Sequence, residues 1–303
     1  MQGNAAVFPN TVESAVLLPT FGVLQSLFQG NLKVENVKAG SETPLSNIAK
    51  IRSYALRISE MTTTTDVKPL TEFGYVSFDV VGTLIDFEGA IKGGLADIAA
   101  KEGIDLNGEA ALAVYRDARY EPDAGLFPDD LGRCYGRIAE AFGLPDTPEY
   151  RQYMIDAVGE AVPFPDSVEA MARLKARYKL IAMTNARRWA FDKYSAKLGN
   201  PFWAGFTTDD TGTEKPDRAY FQKVFAHVER DGGCKDDILH TAQSQYHDIG
   251  ISRALGMTNA WIQRRHAQDG YGGTIAPKEF TEPDYHFHAL IELAQAADDA
   301  FSA

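Results

Sequence analysis

The feature that most constrains this fold is an alternation of short apolar segments with longer amphipathic ones, which begins after Pro163-Phe164-Pro165. Apolar runs of strand length alternate there with segments whose apolar residues recur at helical spacing. The predicted strands are 179–184, 203–207, 237–241 and 258–262, and the predicted helices are 166–177, 187–198, 217–230, 247–255 and 289–300. Such βαβ alternation is typical of a parallel sheet with helices on both faces.

One further strand is predicted far upstream, at residues 75–78, where it is followed by a turn at Gly82 and a helix from about 90 to 101. Residues 105–162 show helical patterns only, with no strand between them. We therefore expect an α/β fold in which a Rossmann-like core carries an inserted all-helical cap of the C1 type. The expected division is core at 73–88 and 163–303, and cap at 89–162.

The start of the chain differs from the remainder. Its first 60 residues contain no Asp and show no clear hydrophobic period, and Met61 then precedes four threonines. We interpret residues 1–72 as an N-terminal extension that is disordered or non-native, with Met61 as the expected start. Mitochondrial import is the alternative interpretation, because acidic residues are scarce and Lys50, Arg52 and Arg57 cluster late in the segment.

The charge and the cysteines exclude several classes of function. A net charge of −12 and a pI near 5.0 disfavour nucleic-acid binding, which draws on clustered Lys and Arg. Cys134 and Cys234 lie far apart and outside any CxxC motif, so we expect neither a disulfide nor a structural zinc site. No apolar run approaches the roughly 20 residues that span a bilayer. We expect a cytoplasmic protein with a small-molecule substrate and no nucleic-acid or membrane partner, while a homodimer stays open.

Polar residues follow several of the predicted strands. Asp79 comes directly after the first strand, and Gly82 and Thr83 form the turn behind it. An acid at the end of a buried strand is unfavourable unless its charge is used or compensated, and a carboxylate can act as a covalent nucleophile. Taken alone, this Asp is as readily explained by a turn or a helix cap.

Three later segments repeat this arrangement. Thr184 and Asn185 follow the second predicted strand, Lys215 lies in a turn before a helix, and Asp248 begins another helix. Singly, these residues read as an N-cap, a solvated surface lysine and a helix-terminal acid. Because ligands bind at the carboxyl ends of parallel strands, all of them are expected to converge on one place.

In this order and spacing, the four segments resemble the signature motifs of the haloacid dehalogenase superfamily, over residues 73 to about 292. The resemblance implies a hydrolase that uses an aspartate nucleophile. By this resemblance the catalytic residues are Asp79, Lys215 and Asp248, and the substrate-binding residues are Thr184 and Asn185. Thr83, whose hydroxyl can donate a hydrogen bond in the turn, is also predicted to bind the substrate.

Two departures from the family's phosphatases bear on the reaction. The position of their second Asp, which is their general acid, is Val81 here, and their Gly-Asp in the fourth motif is replaced by Ala242-Gln243. Val cannot protonate a leaving group, and the lost acid weakens a magnesium site. The chain is most similar to the L-2-haloacid dehalogenase branch, whose halide leaving group needs no proton, and we expect no metal and no cofactor.

The same resemblance implies further contacts with the substrate. The family places an Arg in the cap about thirty residues after the nucleophile, and we assign that role to Arg116 rather than to Arg119. Gln243 and Ser244 keep the amide and hydroxyl character of the residues that position the hydrolytic water. Tyr220 lies one place away from the register of a family Tyr, so its role is left open, as is that of His247.

The expected function is hydrolysis of a small 2-halocarboxylic acid through an ester of Asp79. Two alternatives remain. One is a Mg²⁺-dependent phosphatase acting on a small phosphate ester, and the other is a catalytically idle homologue that binds a ligand.

Overall fold

The computed structural model describes residues 67–303, which form one compact unit. Its centre is a six-stranded parallel sheet with the strand order β3-β2-β1-β4-β5-β6. The strands are β1 (Tyr75–Asp79), β2 (Lys179–Met183), β3 (Ala204–Phe206), β4 (Ile238–Ala242), β5 (Thr258–Ile262) and β6 (Tyr285–Phe287). The five predicted strands are confirmed to within one residue at each end.

Helices precede or follow each strand in the chain. They are α1 (Phe87–Glu102), α2 (Gly108–Ala118), α3 (Leu131–Phe142), α4 (Pro148–Gly159), α5 (Ser167–Lys175), α6 (Arg188–Lys197), α7 (Thr208–Thr211), α8 (Arg218–Arg230), α9 (Gly250–Ala254) and α10 (Leu290–Ser302). Two short 3₁₀ helices, at Leu70–Glu72 and Lys235–Asp237, and a π-helical turn at Gln245–Ile249 complete the list. None of these helices, within residues 67–303, is long and apolar enough to cross a membrane.

The sheet is buried on both faces, as its apolar strands predict. Every residue of β1 and of β4 is buried, which is typical of central parallel strands. One apolar cluster contains Val76 and Phe78 of β1. A second cluster contains Tyr75 of β1 and Ile181 of β2, together with the apolar stripe of α8. Because successive side chains of a strand point to opposite faces, helices cover both sides of the sheet. The predicted α/β class is confirmed.

Helices α1 to α4 lie between β1 and β2 in the chain and pack on one another, and we call them the helical insertion. Asp86 and Asn107 begin α1 and α2 as N-caps, since their side chains accept hydrogen bonds from Gly89 N and Ala110 N. The sequence predicted this all-helical composition. The exact boundaries of a cap at 89–162 stay a prediction.

Three details differ from the prediction. The edge strand β6 was missed, because three residues after a proline-containing loop carry too short a pattern to read. The helix predicted at 247–255 begins earlier, as the π-helical turn at Gln245. Leu70 is buried, and its carbonyl accepts a hydrogen bond from Tyr178, so the packed core begins before residue 73. Met61 lies outside the described residues.

Candidate active site

A cavity of about 560 Å³ opens at the carboxyl ends of β1, β2 and β4. Its floor contains residues from all four motifs, and its walls come from the helical insertion and from the loop after β5. The floor and rim include Asp79, Val81, Asn185, Glu214, Lys215, Ser244, His247 and Asp248, and the walls include Phe87, Tyr115, Arg119, Tyr120, Phe127, Gly273 and Thr274. The polar strand ends therefore converge as the α/β fold requires.

Asp79 ends β1 and is held from two sides. Its Oδ1 lies 2.8 Å from Lys215 Nζ, and its Oδ2 accepts a hydrogen bond of 2.7 Å from the Thr83 hydroxyl. Gly82, at φ 92°, makes the turn that brings Thr83 back towards the carboxylate. Thr83 in turn accepts a hydrogen bond from Gln243 N, so it positions the nucleophile.

Lys215 lies between two carboxylates. Its Nζ contacts Asp79 Oδ1 at 2.8 Å and Asp248 Oδ1 at 2.7 Å, and the side chain is 1% exposed. Burial alone would lower the pKa of Lys215, but the two carboxylates outweigh it and raise that pKa, so the ammonium is kept. Burial raises the pKa of Asp79, and Lys215 opposes this rise while Asp248 adds to it.

Asp248 is fully buried at the π-helical turn. Its Oδ1 contacts both Lys215 and His240 Nε2, the latter at 3.1 Å, whereas its Oδ2 is buried without a hydrogen-bond partner among the described residues. Burial would raise the pKa of Asp248, but Lys215 and His240 lower it to about 2. Asp248 is thus an ionised carboxylate, and one of its oxygens accepts no hydrogen bond from the described residues.

Asn185 and Thr184 are placed differently from their predicted roles. Both polar atoms of the Asn185 amide bond the backbone of Lys215, at 2.7 Å and 2.9 Å, so Asn185 borders the cavity but holds the lysine loop. Thr184 is fully buried, does not line the cavity, and accepts a hydrogen bond from Ala186 N. The Tyr220 hydroxyl bonds the carbonyls of Thr184 and Phe206, which is a structural role.

Gln243 and Ser244, which were assigned together, border two different cavities. The Gln243 side chain lines a smaller adjacent cavity of about 120 Å³ and not the one above Asp79. Ser244 does border the main cavity, where its Oγ accepts a hydrogen bond of 2.9 Å from His247 N and caps the π-helical turn. Of the two, only Ser244 lies where it can contact a substrate or a water molecule in the main cavity.

The arginine of the helical insertion that lines the cavity is Arg119, not Arg116. Arg116 pairs with the exposed Asp117 and contacts the carbonyl of Gly272. The side chain of Arg119 is 13% exposed and pairs with Asp130 at 2.7 Å. Our choice of Arg116 is therefore corrected, because the end of α2 turns the later arginine towards the cavity.

Two polar cavity residues had no role in the sequence interpretation. Glu214 has a buried Oε1 without a partner among the described residues, and desolvation raises the pKa of its carboxyl. Burial lowers the pKa of His247 to about 4, so its imidazole is neutral at pH 7, and its two nitrogens lie near Ser244 Oγ and Tyr120 OH. The position of Glu214 beside Lys215 was the only signal for it in the sequence.

Arg264 and Arg265, which follow β5, have largely buried side chains that form ion pairs. Arg264 pairs with Asp166 at 2.8 Å, and Arg265 pairs with Glu88. Glu88 Oε1 also accepts a hydrogen bond from Gly273 N. The two Glu88 contacts fasten the loop after β5 against the start of α1, and the Arg264 pair fastens it to the start of α5.

The donor set does not fit a magnesium site of the usual kind. Mg²⁺ prefers several oxygen ligands with carboxylates among them. Within residues 67–303, no group of three or more His, Cys, Asp or Glu is arranged to hold a metal ion. Asp79 and Asp248 both contact the Lys215 ammonium, and Val81 supplies no carboxylate. We assign no step to a metal ion.

A sequence model of the haloacid dehalogenase-like hydrolases matches residues 74–234, more than half of the chain. The chain belongs to this family. No curated protein matches this haloacid dehalogenase-like hydrolase significantly.

Solved structures share its fold. The magnesium-bound HAD-hydrolase YfnB from Bacillus subtilis is 19% identical, with a TM-score of 0.60 over 75% of this chain and 99% of that one. The L-2-haloacid dehalogenase from Xanthobacter autotrophicus is 20% identical, with a TM-score of 0.58 over 75% and 98%. A defluorinating L-2-haloacid dehalogenase, Rha0230, is 21% identical, with a TM-score of 0.59 over 75% and 95%. At these identities the likeness shows the fold alone.

Proposed function

We propose that this hydrolase cleaves the carbon–halogen bond of small 2-halocarboxylic acids without a metal ion, through an ester of Asp79. One observation carries the proposal. The Asp79 carboxylate is fixed at the cavity floor by Lys215 and Thr83, and Val81 stands where a phosphatase has its proton donor. A leaving group that departs as a stable anion needs no such donor.

In the first step, an oxygen of Asp79 attacks the carbon that bears the halogen. A carbon–oxygen bond forms, the carbon–halogen bond breaks, and the halide leaves with the electron pair, so that no proton is transferred. Arg119 is the cavity-lining arginine, and we assign to it the binding of the substrate carboxylate or of the departing halide. Lys215 opposes the rise in the pKa of Asp79 that burial causes, which favours the ionised nucleophile, and it remains paired with Asp248 once Asp79 is esterified.

In the second step, water attacks Cγ of the esterified Asp79. We assign the proton of that water to Oδ2 of Asp248, because Asp248 lines the cavity and its Oδ2 accepts no hydrogen bond from the described residues. The bond from Cγ to the ester oxygen then breaks. That oxygen, which came from Asp79, takes the proton from Asp248 and leaves as the hydroxyl group of the product. Asp79 releases one proton to solvent, so the sum is halide, hydroxy acid and one proton from substrate and water.

The decisive experiment is a single turnover of 2-chloropropionate in water labelled with ¹⁸O. The expected product hydroxyl carries ¹⁶O from the enzyme, and the label enters Asp79, as peptide mass spectrometry would show. Label in the product hydroxyl after one turnover would mean direct attack by water and would refute the ester. Halide release should persist in a chelator, and its loss there would refute the metal-free mechanism.

Matched assays distinguish the two alternatives. Hydrolysis of p-nitrophenyl phosphate that strictly requires Mg²⁺, without halide release from 2-chloropropionate, would establish a phosphatase instead. A ligand-dependent rise in melting temperature without turnover of any halide or phosphate substrate would indicate a binding protein.

A further inference from the structure

A chain of hydrogen bonds continues from Asp248 into the interior of the sheet. His240 Nε2 lies 3.1 Å from Asp248 Oδ1, and His240 Nδ1 lies 2.8 Å from Ser77 Oγ. All three side chains are fully buried, and neither His240 nor Ser77 lines the cavity. Ser77 and His240 are register partners on the neighbouring strands β1 and β4, so the sheet itself sets their contact.

These contacts admit one arrangement of protons for a neutral ring. An ionised Asp248 only accepts hydrogen bonds, so His240 Nε2 must carry a proton and donate it. His240 Nδ1 is then an acceptor, and the Ser77 hydroxyl must donate to it. The opposite tautomer would place two lone pairs against each other at the contact between Nε2 and Asp248 Oδ1.

We propose that His240 is a positioning residue, which together with Ser77 holds Asp248 so that only its Oδ2 is free to take the proton of the hydrolytic water. Oδ1 receives both Lys215 and His240, which fixes the plane of the carboxylate. A carboxylate tied through one oxygen presents the other in a constant direction. The step it serves rests on the proposed function, whereas the tautomer does not.

The groups packed around Asp248 leave His240 as its second hydrogen-bond donor. Lys215 is the first, and it is shared with Asp79. Phe221 packs edge-on against the His240 ring at 5.5 Å and offers no polar atom. Removing the imidazole nitrogens would therefore leave Asp248 held by the lysine alone, and the Ser77 hydroxyl without its acceptor.

The tautomer can be measured without a substrate. The chain has six histidines, so ¹⁵N-labelled histidine gives a small spectrum in which His240 is identified by its loss in His240→Gln. We expect a proton on Nε2, and a weaker preference for that nitrogen in Asp248→Asn. A proton on Nδ1 with none on Nε2 would overturn the inference whatever the enzyme hydrolyses.

The positioning role predicts that one step slows more than the other. The reaction with 2-chloropropionate is quenched at intervals, and the ester on Asp79 is followed by the mass of the intact protein. His240→Phe should slow ester hydrolysis about 10- to 100-fold, so that the ester accumulates, while the rate of ester formation changes less. His240→Gln, which keeps a donor at the reach of Nε2, should recover most of the rate. Ser77→Ala should have a smaller effect in the same direction.

Ile238→Ala is the matched control, because Ile238 is buried on the same face of β4, two residues earlier. It should lower the melting temperature without accumulating the ester. Accumulation in this control, or equal slowing of both steps in His240→Phe, would reduce His240 to a packing residue. If the wild type leaves 2-chloropropionate intact, the proposed function and this role are both refuted. The histidine spectrum still decides whether the hydrogen bonds from Ser77 through His240 to Asp248 exist.

Discussion

The floor and the wall of the cavity were predictable from the sequence to very different degrees. The floor consists of Asp79, Lys215 and Asp248, which the structure brings within hydrogen-bond distance of a single ammonium. The wall comes largely from the helical insertion, where Arg119 stands in place of the expected Arg116. A strand end fixes the position of the next residue closely, whereas the direction of a helical side chain depends on how the helix is rotated.

This difference separates the chemistry from the specificity. Floor residues are constrained by the reaction, because a nucleophile, a cation and a second acid have to meet at one point. Wall residues are constrained only by the shape of the ligand. The cavity, at about 560 Å³ with aromatic walls from Phe87, Tyr115 and Phe127, has more room than a three-carbon acid fills. We therefore expect that changes in the wall residues alter which substrate is chosen, while the floor residues stay unchanged.

The largest effect is expected from the floor, in Asp79→Asn. Turnover should fall at least about 10⁴-fold, since an amide cannot form the ester. The melting temperature should stay the same or rise, because burial already disfavours the charged carboxylate. Activity assays and thermal unfolding measure the two effects. Residual halide release above about one per cent would mean that another group attacks the substrate.

The fold itself was predicted well because its strands are buried on both faces and read as apolar runs. Lys215 was predictable only through the order and spacing of the four motifs, because a lysine in a turn before a helix is by itself typical of the surface. The sequence did not show that Asn185 holds the lysine loop, because an amide that binds a substrate and one that clamps a loop have identical sequence patterns. His240 was missed because a histidine inside a strand carries no motif, and only the register with Ser77 gives it a partner.

The second effect concerns the stability of the floor. Lys215→Met should reduce the free energy of unfolding by about 3 to 5 kcal/mol, because it leaves two buried carboxylates without their cation. Adding Asp248→Asn should restore part of that loss, so the double variant is more stable than the sum of the single changes. Denaturant titration of the three variants measures this coupling. Strict additivity would contradict a shared lysine.

The third prediction tests the corrected wall residue. Arg119→Lys keeps a charge but loses the planar guanidinium, and it should lower kcat/KM about 10- to 100-fold, mainly through KM. Arg116→Lys is the matched control and should change kcat/KM by less than about two-fold, since its side chain pairs with Asp117 outside the cavity. Steady-state kinetics with 2-chloropropionate measure both. The opposite order of effects would restore Arg116 as the substrate ligand.

The smallest effect concerns what holds Arg119 in the wall. Burial would raise the pKa of Asp130, but hydrogen bonds from Arg133 and Arg119 outweigh it and lower that pKa to about 2. A lowered folded-state pKa means that the stabilisation is complete above the unfolded value of roughly 4 and is lost as the pH falls through about 2. The stability difference between wild type and Asp130→Asn should therefore be constant from pH 7 to 5 and shrink below pH 4. Urea unfolding across that range tests it, and a difference that instead vanishes near neutral pH would show that another group holds Arg119.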